Sequence, residues 1–186
     1  MRITGGLLSG RAVAAPAGNQ TRPTTDMVRE SLFASLANEV DLSGARVLDA
    51  FCGSGVLAFE ALSRGAAHAL LLDIDASVCR TARSNAEQLG LSSHVTIMRM
   101  DVLRGMSHVQ PQSYNLVFAD PPYAERCCNA VLAMLERHDI VQATGIVVLE
   151  HDDTEVIIPR AGWHHVATRR HGSTVIDIVR RINSSS

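Results

Sequence analysis

From residue 45 onward, short apolar runs alternate with amphipathic segments. This alternation constrains the fold most strongly, because strands separated by helices of about 10–15 residues form βαβ units and a parallel sheet with helices on both faces. The predicted strands are 46–50, 67–72, 94–99, 114–119 and 146–150, and the predicted helices are 55–64, 77–89 and 124–138.

The last two apolar runs, 163–170 and 173–180, are joined through His171-Gly172. No crossover helix fits between them, so they should pair antiparallel. We therefore predict an α/β, Rossmann-like domain with a seven-stranded mixed sheet, mostly parallel, in which the last strand is inserted antiparallel.

The N-terminal residues do not follow this alternation. Two short extended runs, 2–3 and 11–15, flank a stretch of small residues and indicate a β-hairpin. Thr24 or Thr25 can cap a helix that runs to about Asn38. We expect an appendage at 1–38, the main domain at 39–182 and a polar tail at 183–186.

Length and composition indicate one globular protein of ordinary size. The chain has 186 residues, of which 46% are apolar and 19% are charged, which excludes disordered and coiled-coil classes. It contains no run of about 18 apolar residues and no apolar N-terminal signal, so we expect no membrane span and a cytoplasmic location. The scattered histidines and the four cysteines, without CxxC spacing, favour buried thiols and no metal site.

Every basic side chain apart from the histidines is an arginine, and the arginines are enriched at both ends of the chain. Arginine suits recognition of phosphate groups and bases through its planar fork. Basic ends are therefore compatible with a nucleic-acid substrate. Genome composition alone can produce the same bias, and that alternative stays open.

A glycine loop follows the first predicted strand, in the segment from Asp49 through Phe51 to Gly53-Ser54-Gly55. Glycines let a ligand approach the backbone, and the helix behind them offers unpaired amides. The dinucleotide fingerprint GxGxxG and the phosphate-loop motif are both absent. Asp49 would repel a phosphate and suits a cationic ligand. The alternative is a tight strand-to-helix turn.

Single acids follow the next two predicted strands. Asp73, followed by Ile74, ends the second strand, where a carboxylate can accept hydrogen bonds from the hydroxyls of an adenosine ribose. Asp101, followed by Val102, ends the third strand, where a carboxylate can accept from an adenine amino group. Asp101 is equally suited to cap a helix.

The motif Asp120-Pro121-Pro122-Tyr123 follows the apolar strand 114–119. Two prolines at a strand end fix the backbone and free carbonyls from the sheet. An amino group on a planar ring is a poor nucleophile, because its lone pair is delocalised. Acceptors at the Asp120 carboxylate and the Pro121 carbonyl can hold such an amine in line with an electrophile, while Tyr123 stacks on the ring.

These motifs together resemble the S-adenosylmethionine-dependent amino methyltransferases. The segments RITGG at 2–6, RPTTD at 22–26, VRESLF at 28–33, EALSRGA at 60–66 and HGST at 171–174 resemble, more narrowly, the RsmD family, and the resemblance covers residues 2–181. Two positions depart from that family: Cys52, where alanine is more usual, and Asp73, where glutamate is common.

The resemblance implies a Rossmann-like methyltransferase that transfers a methyl group from S-adenosylmethionine to the N2 amine of a guanine in 16S rRNA. It implies that Asp120, Pro121, Pro122 and Tyr123 are the catalytic residues. The residues that it implies for binding S-adenosylmethionine are Asp49, Phe51, Gly53, Ser54, Gly55, Asp73, Ile74, Asp101, Val102 and Asp120.

We expect Arg2, Arg11, Arg22 and Arg29 to contact RNA from the N-terminal appendage, in a monomeric enzyme that acts on 16S rRNA within the 30S subunit or an assembly intermediate. The alternative for the hairpin is that it covers apolar surface of the core. Two other functions stay open: methylation of adenine N6 in DNA, and a non-catalytic RNA-binding module with a vestigial cofactor pocket.

Overall fold

The apolar runs form one seven-stranded sheet in a computed structural model that describes residues 1–16, 25–122, 127–158 and 160–182. The strand order is β3-β2-β1-β4-β5-β7-β6. Strands β1 to β5 are parallel to one another, and β7 lies between β5 and β6 and is antiparallel to both. The predicted mixed sheet is confirmed. The strands are β1 Arg46–Asp49, β2 His68–Asp73, β3 Val95–Arg99, β4 Tyr114–Ala119, β5 Val141–Asp152, β6 Trp163–His171 and β7 Thr174–Arg181.

Local capping explains where the helices begin and end. The Thr25 side chain accepts a hydrogen bond from the amide of Val28 at the start of the first helix, and Asp75 does the same for Ser77 at the third. Gly90, with φ of 75°, ends the third helix in the left-handed region. The helices are α1 Asp26–Leu36, α2 Val56–Ser63, α3 Ala76–Leu89, α4 Val102–Gly105 and α5 Cys128–Arg137.

Three elements differ from the sequence prediction. The N-terminal hairpin consists of a single antiparallel bridge between Arg2 and Ala12. Strand β5 starts five residues earlier than expected, at Val141, with a register shift before Ile146. The short helix α4 was not predicted, because four residues are too few to show a helical period. The start of the predicted helix 124–138 and the tail 183–186 lie outside the described residues.

The N-terminal segment packs into the same core as the sheet. Ile3 and Val13 are 1% and 2% exposed, and they join Phe33 and Leu36 of α1 in the cluster that covers one sheet face. A side chain at Gly6 would meet the Ser63 carbonyl oxygen at 1.9 Å, so the N-terminal turn fits closely against the end of α2. The segment therefore covers apolar surface. No described helix has the length and apolar character needed to span a membrane.

Arg29 lies inside this packing, so the prediction that it contacts RNA is wrong. Its side chain is fully buried, 2.7 Å from the Asp26 carboxylate and 3.5 Å from Glu60, which is itself fully buried. Glu60 also accepts from the amide of Thr4 and pairs with Arg64. A buried carboxylate needs such partners, because its desolvation is otherwise uncompensated. The arginine therefore holds α1 and the N-terminus onto α2.

Candidate active site at the carboxyl end of the sheet

The predicted site acids meet where the parallel strands end, which we call the carboxyl end of the sheet. Asp49 is the last residue of β1, Asp73 is the last residue of β2, and Asp120 directly follows β4. The three acids are close enough to affect one another. The charge of Asp49 raises the pKa of the Asp120 carboxyl, and the charge of Asp73 raises the pKa of the Asp49 carboxyl. Ligands of open α/β sheets bind outside this end.

The glycine loop turns sharply between β1 and α2. Gly55 has a φ of 80°, and a side chain there would lie 2.6 Å from the Phe59 ring, so only glycine fits. Gly53 also has a positive φ, of 53°, but a Cβ atom added to it would meet nothing within 4 Å. The loop therefore has a packed side at Gly55 and an open side at Gly53 that a ligand can approach.

Asn85 is a site residue that the sequence pattern did not reveal. Its side-chain amide donates to the carbonyls of Ser54, at 3.0 Å, and of Ala14, at 2.9 Å, and its oxygen accepts from the Ala14 amide. It thus fastens the N-terminal segment and the glycine loop to α3. An asparagine on the buried face of an amphipathic helix is the signal that could have identified it.

Asp73 is fixed in orientation by two amides. One carboxylate oxygen accepts from the Asp75 amide at 2.9 Å and the other from the Gly53 amide at 3.3 Å. Partial burial raises the pKa of the carboxyl. The next residue, Ile74, is 62% exposed beside it, so an apolar surface lies next to a hydrogen-bond acceptor.

Asp49 is buried and incompletely hydrogen-bonded. Its side chain is 2% exposed, and among the described residues its Oδ2 atom has no hydrogen-bond partner. Burial raises the pKa of the carboxyl to about 7, with a smaller contribution from Asp73, while the amide of Ala58 acts in the opposite direction. An orphaned buried acceptor of this kind is what a cationic ligand would satisfy.

Asp101 caps α4. Its carboxylate accepts from the Leu103 amide at 3.1 Å and lies 3.5 Å from Nε of Arg104. Asp101 thus occupies the helix-cap position that the sequence analysis left open as an alternative. Val102 behind it is buried, while Phe51 packs against the apolar cluster on the other face of the sheet, which includes Leu48 and Val117.

Asp120 has a carboxylate neighbour, Glu150, that the sequence analysis did not select. Ala119 pairs with Leu149 across β4 and β5, so Asp120 and Glu150 occupy the next position on each strand and face the same side. Glu150 is 5% exposed. Burial, then the Glu150 and Asp49 charges, raise the pKa of Asp120 well above its usual value. Pro121 is buried, Pro122 is exposed, and Tyr123 lies outside the described residues.

Two of the remaining predicted RNA contacts are exposed arginines of the N-terminal segment. Arg2 is exposed. Arg11 is also exposed, and its guanidinium donates to the carbonyl of Gln88 at 2.7 Å. Gln88 is in the last turn of α3, so this hydrogen bond holds Arg11 against the end of that helix. Arg22 lies outside the described residues. Within the described ranges, no three His, Cys, Asp or Glu side chains are grouped to hold a metal ion.

The sequence is similar to one family model and to proteins named as rRNA methyltransferases. The family model "Conserved hypothetical protein 95" matches residues 1–180. The "Putative rRNA methyltransferase YlbH" of Bacillus subtilis is 37% identical over 185 residues, which cover 97% of this chain and 99% of the relative. The "Ribosomal RNA small subunit methyltransferase D" of Escherichia coli K12 is 32% identical over 152 residues, which cover 82% of this chain and 75% of that protein.

Solved structures resemble the whole fold. The Escherichia coli structure described as "Putative methyltransferase yhhF" superposes with a TM-score of 0.86 at 28% identity and covers 98% of both chains. An RNA methyltransferase from Salinibacter ruber, solved with S-adenosyl-L-homocysteine, has a TM-score of 0.66 at 16% identity, with 88% of this chain and 96% of that chain covered. At that identity the likeness concerns the fold alone.

Proposed function

The chain belongs to the RsmD family, which the Conserved hypothetical protein 95 model describes, and we propose that it methylates the N2 amine of a guanine in 16S rRNA. The observation that carries the proposal is the position of Asp120 at the carboxyl end of the sheet, on the side where Asp49 and Asp73 end their strands. The names of two relatives support the substrate class: the Bacillus subtilis name specifies rRNA, and the Escherichia coli name specifies the small-subunit ribosomal RNA.

S-adenosylmethionine fits the residues that are present. Its cationic methionine end suits the orphaned Asp49 oxygen, and the open side of Gly53 admits a ligand that a side chain would exclude. We propose that Asp73 accepts from the ribose hydroxyls, and that Phe51, Ile74, Asp101 and Val102 surround the adenine. Ser54 and Gly55 shape the loop. When bound, this cofactor supplies an electrophilic methyl group.

In the proposed reaction the protein positions the amine and accepts a proton from it. We propose that the Asp120 carboxylate and the Pro121 carbonyl accept from the two N–H bonds of the guanine amine, and that Pro122 fixes the turn while Tyr123 stacks on the base. The nitrogen lone pair is thereby directed at the methyl carbon. Methyl transfer would leave the amine nitrogen cationic, and the Asp120 carboxylate would take up the proton that this nitrogen loses.

Outside the pocket, we propose that Arg2 and Arg11 contact the RNA backbone. Arginine can bind a phosphate through two parallel hydrogen bonds. The target guanine must leave its stack to enter the pocket, which costs a few kcal/mol in a duplex and less in a loop. The substrate is proposed to be the 30S subunit or an assembly intermediate.

A labelled-methyl assay tests the proposed function. The protein is incubated with methyl-labelled S-adenosylmethionine and, separately, with 30S subunits, naked 16S rRNA and duplex DNA. We expect label in the ribosomal RNA, loss of labelling in Asp120→Ala, and normal labelling in Asp153→Ala, which removes an exposed carboxylate. Label in the DNA would favour adenine methylation, and no label in any substrate would contradict an enzymatic function.

A further inference from the structure

The last strand pair brings two exposed arginines to the carboxyl end of the sheet. Strand β6 is antiparallel to β7, and β7 is antiparallel to β5, so β6 runs parallel to β5. Its final residues therefore lie on the same side of the sheet as the residues that end β1, β2 and β4. Arg169 and Arg170 are both exposed there.

The strand register places Arg169 in line with the candidate active site. Glu150 on β5 pairs with Ile176 on β7, and Ile176 pairs with Arg169 on β6. Directly paired residues project from the same face, so Arg169 shares its face with Glu150 and Asp120. Strands lie about 4.8 Å apart, so three spacings separate Arg169 from Asp120 by about 14 Å. Arg170, the next residue, projects from the other face.

Most of the acids near this strand end have hydrogen-bond partners other than Arg169 and Arg170, so the positive charge of the two arginines is largely uncompensated. Among the described residues, the Arg169 guanidinium makes a single, long hydrogen bond, to the Ser35 hydroxyl at 3.4 Å. Asp177, on the neighbouring strand, is held by His151 and His165, each at 2.9 Å, and by Thr168. Asp152 accepts from the amide of Thr154 in its own loop. Asp153 is the exposed acid close to this end.

We propose that the carboxyl end of β6, through Arg169 and Arg170, binds phosphates of the RNA strand that carries the target base. This inference rests on the proposed function for the identity of the nucleic acid. Guanidinium groups match phosphate geometry, and two of them on opposite faces of one strand end can bracket an RNA backbone. Strand β6 is the outermost strand of the sheet, so no neighbouring strand in the described part of the chain covers it.

The test measures RNA binding, without turnover, for a 16S rRNA fragment at several salt concentrations. We expect Arg169→Gln/Arg170→Gln to weaken binding about tenfold or more and to lower the log–log salt slope by roughly 1.4–1.8, since each neutralised phosphate contributes about 0.7–0.9. Arg169→Lys/Arg170→Lys should keep the slope, because it keeps the charges. Affinity for S-adenosylmethionine should stay unchanged in both variants.

Arg137→Gln is the matched control, since Arg137 is an exposed arginine at the end of α5, near the opposite end of the sheet. It should lower the slope less than either single variant, Arg169→Gln or Arg170→Gln. A wild-type slope in the double variant would overturn the inference whatever the enzyme methylates. If the double variant lowers the slope but the wild-type protein methylates no RNA, the RNA-binding surface is supported and the proposed reaction is overturned.

Discussion

Asp120 and Glu150 lie side by side on two parallel strands, one position beyond the pair Ala119 and Leu149, with their side chains on the same face. Together with burial, this proximity raises the pKa of Asp120 well above its usual value. A carboxylate that must accept hydrogen bonds from an amine is active in its ionised form. Glu150 therefore adds to the effect of burial in raising the pH at which the candidate site becomes competent.

Glu150→Gln should shift the acidic limb of the pH profile of kcat/KM to lower pH. Removing the Glu150 charge lowers the pKa of Asp120, so Asp120 ionises earlier as pH rises. The measurement is methyl transfer to RNA across the acidic and neutral range. Glu87→Gln, which changes an exposed glutamate on α3, serves as the control and should leave the limb in place. An unshifted limb in Glu150→Gln would contradict the coupling.

Binding of S-adenosylmethionine should release protons near pH 7. The pKa of Asp49 is raised to about 7 in the free protein, so the carboxyl is partly protonated there. A cationic ligand favours the ionised form, and the proton leaves. Calorimetry in two buffers of different ionisation enthalpy at pH 7 measures this release. Asp49→Asn should abolish the buffer dependence, and a wild-type heat that is identical in both buffers would contradict the assignment.

Asp73→Ala should weaken S-adenosylmethionine binding about 10- to 100-fold, since hydrogen bonds to a charged group are each worth about 1.5–3 kcal/mol. Calorimetric titration gives the affinity, and Asp153→Ala, at an exposed acid in the loop after β5, is the matched control. An unchanged affinity in Asp73→Ala would contradict the assignment of Asp73 to the ribose hydroxyls.

Arg29→Ala should cost about 3 kcal/mol of unfolding free energy, because it removes one of the two cations that pair with the buried Glu60, the other being Arg64. Urea denaturation measures the loss. Arg2→Ala, at an exposed arginine of the same segment, should change stability by less than about 0.5 kcal/mol. A loss below about 1 kcal/mol in Arg29→Ala would show that the ion pair does little to hold α1 on α2.

The sequence predicted the site acids that directly end strands, because chain order and the βαβ pattern fix which end of the sheet they occupy. Asp49, Asp73 and Asp120 follow from that rule alone. Glu150 does not, since its place beside Asp120 depends on the register between β4 and β5. The burial of Arg29 likewise depends on its ion pair with Glu60, thirty-one positions away in the sequence. A local sequence pattern cannot show which charged side chain has a buried partner.

The identity of the methylated nucleoside tests the central claim most directly. Ribosomal RNA methylated by the purified protein is digested to nucleosides and analysed by mass spectrometry against authentic standards. The account predicts N2-methylguanosine, formed by the wild type and absent with Asp120→Ala. A product of N6-methyladenosine, or a methyl group on any atom other than the guanine N2, would contradict it.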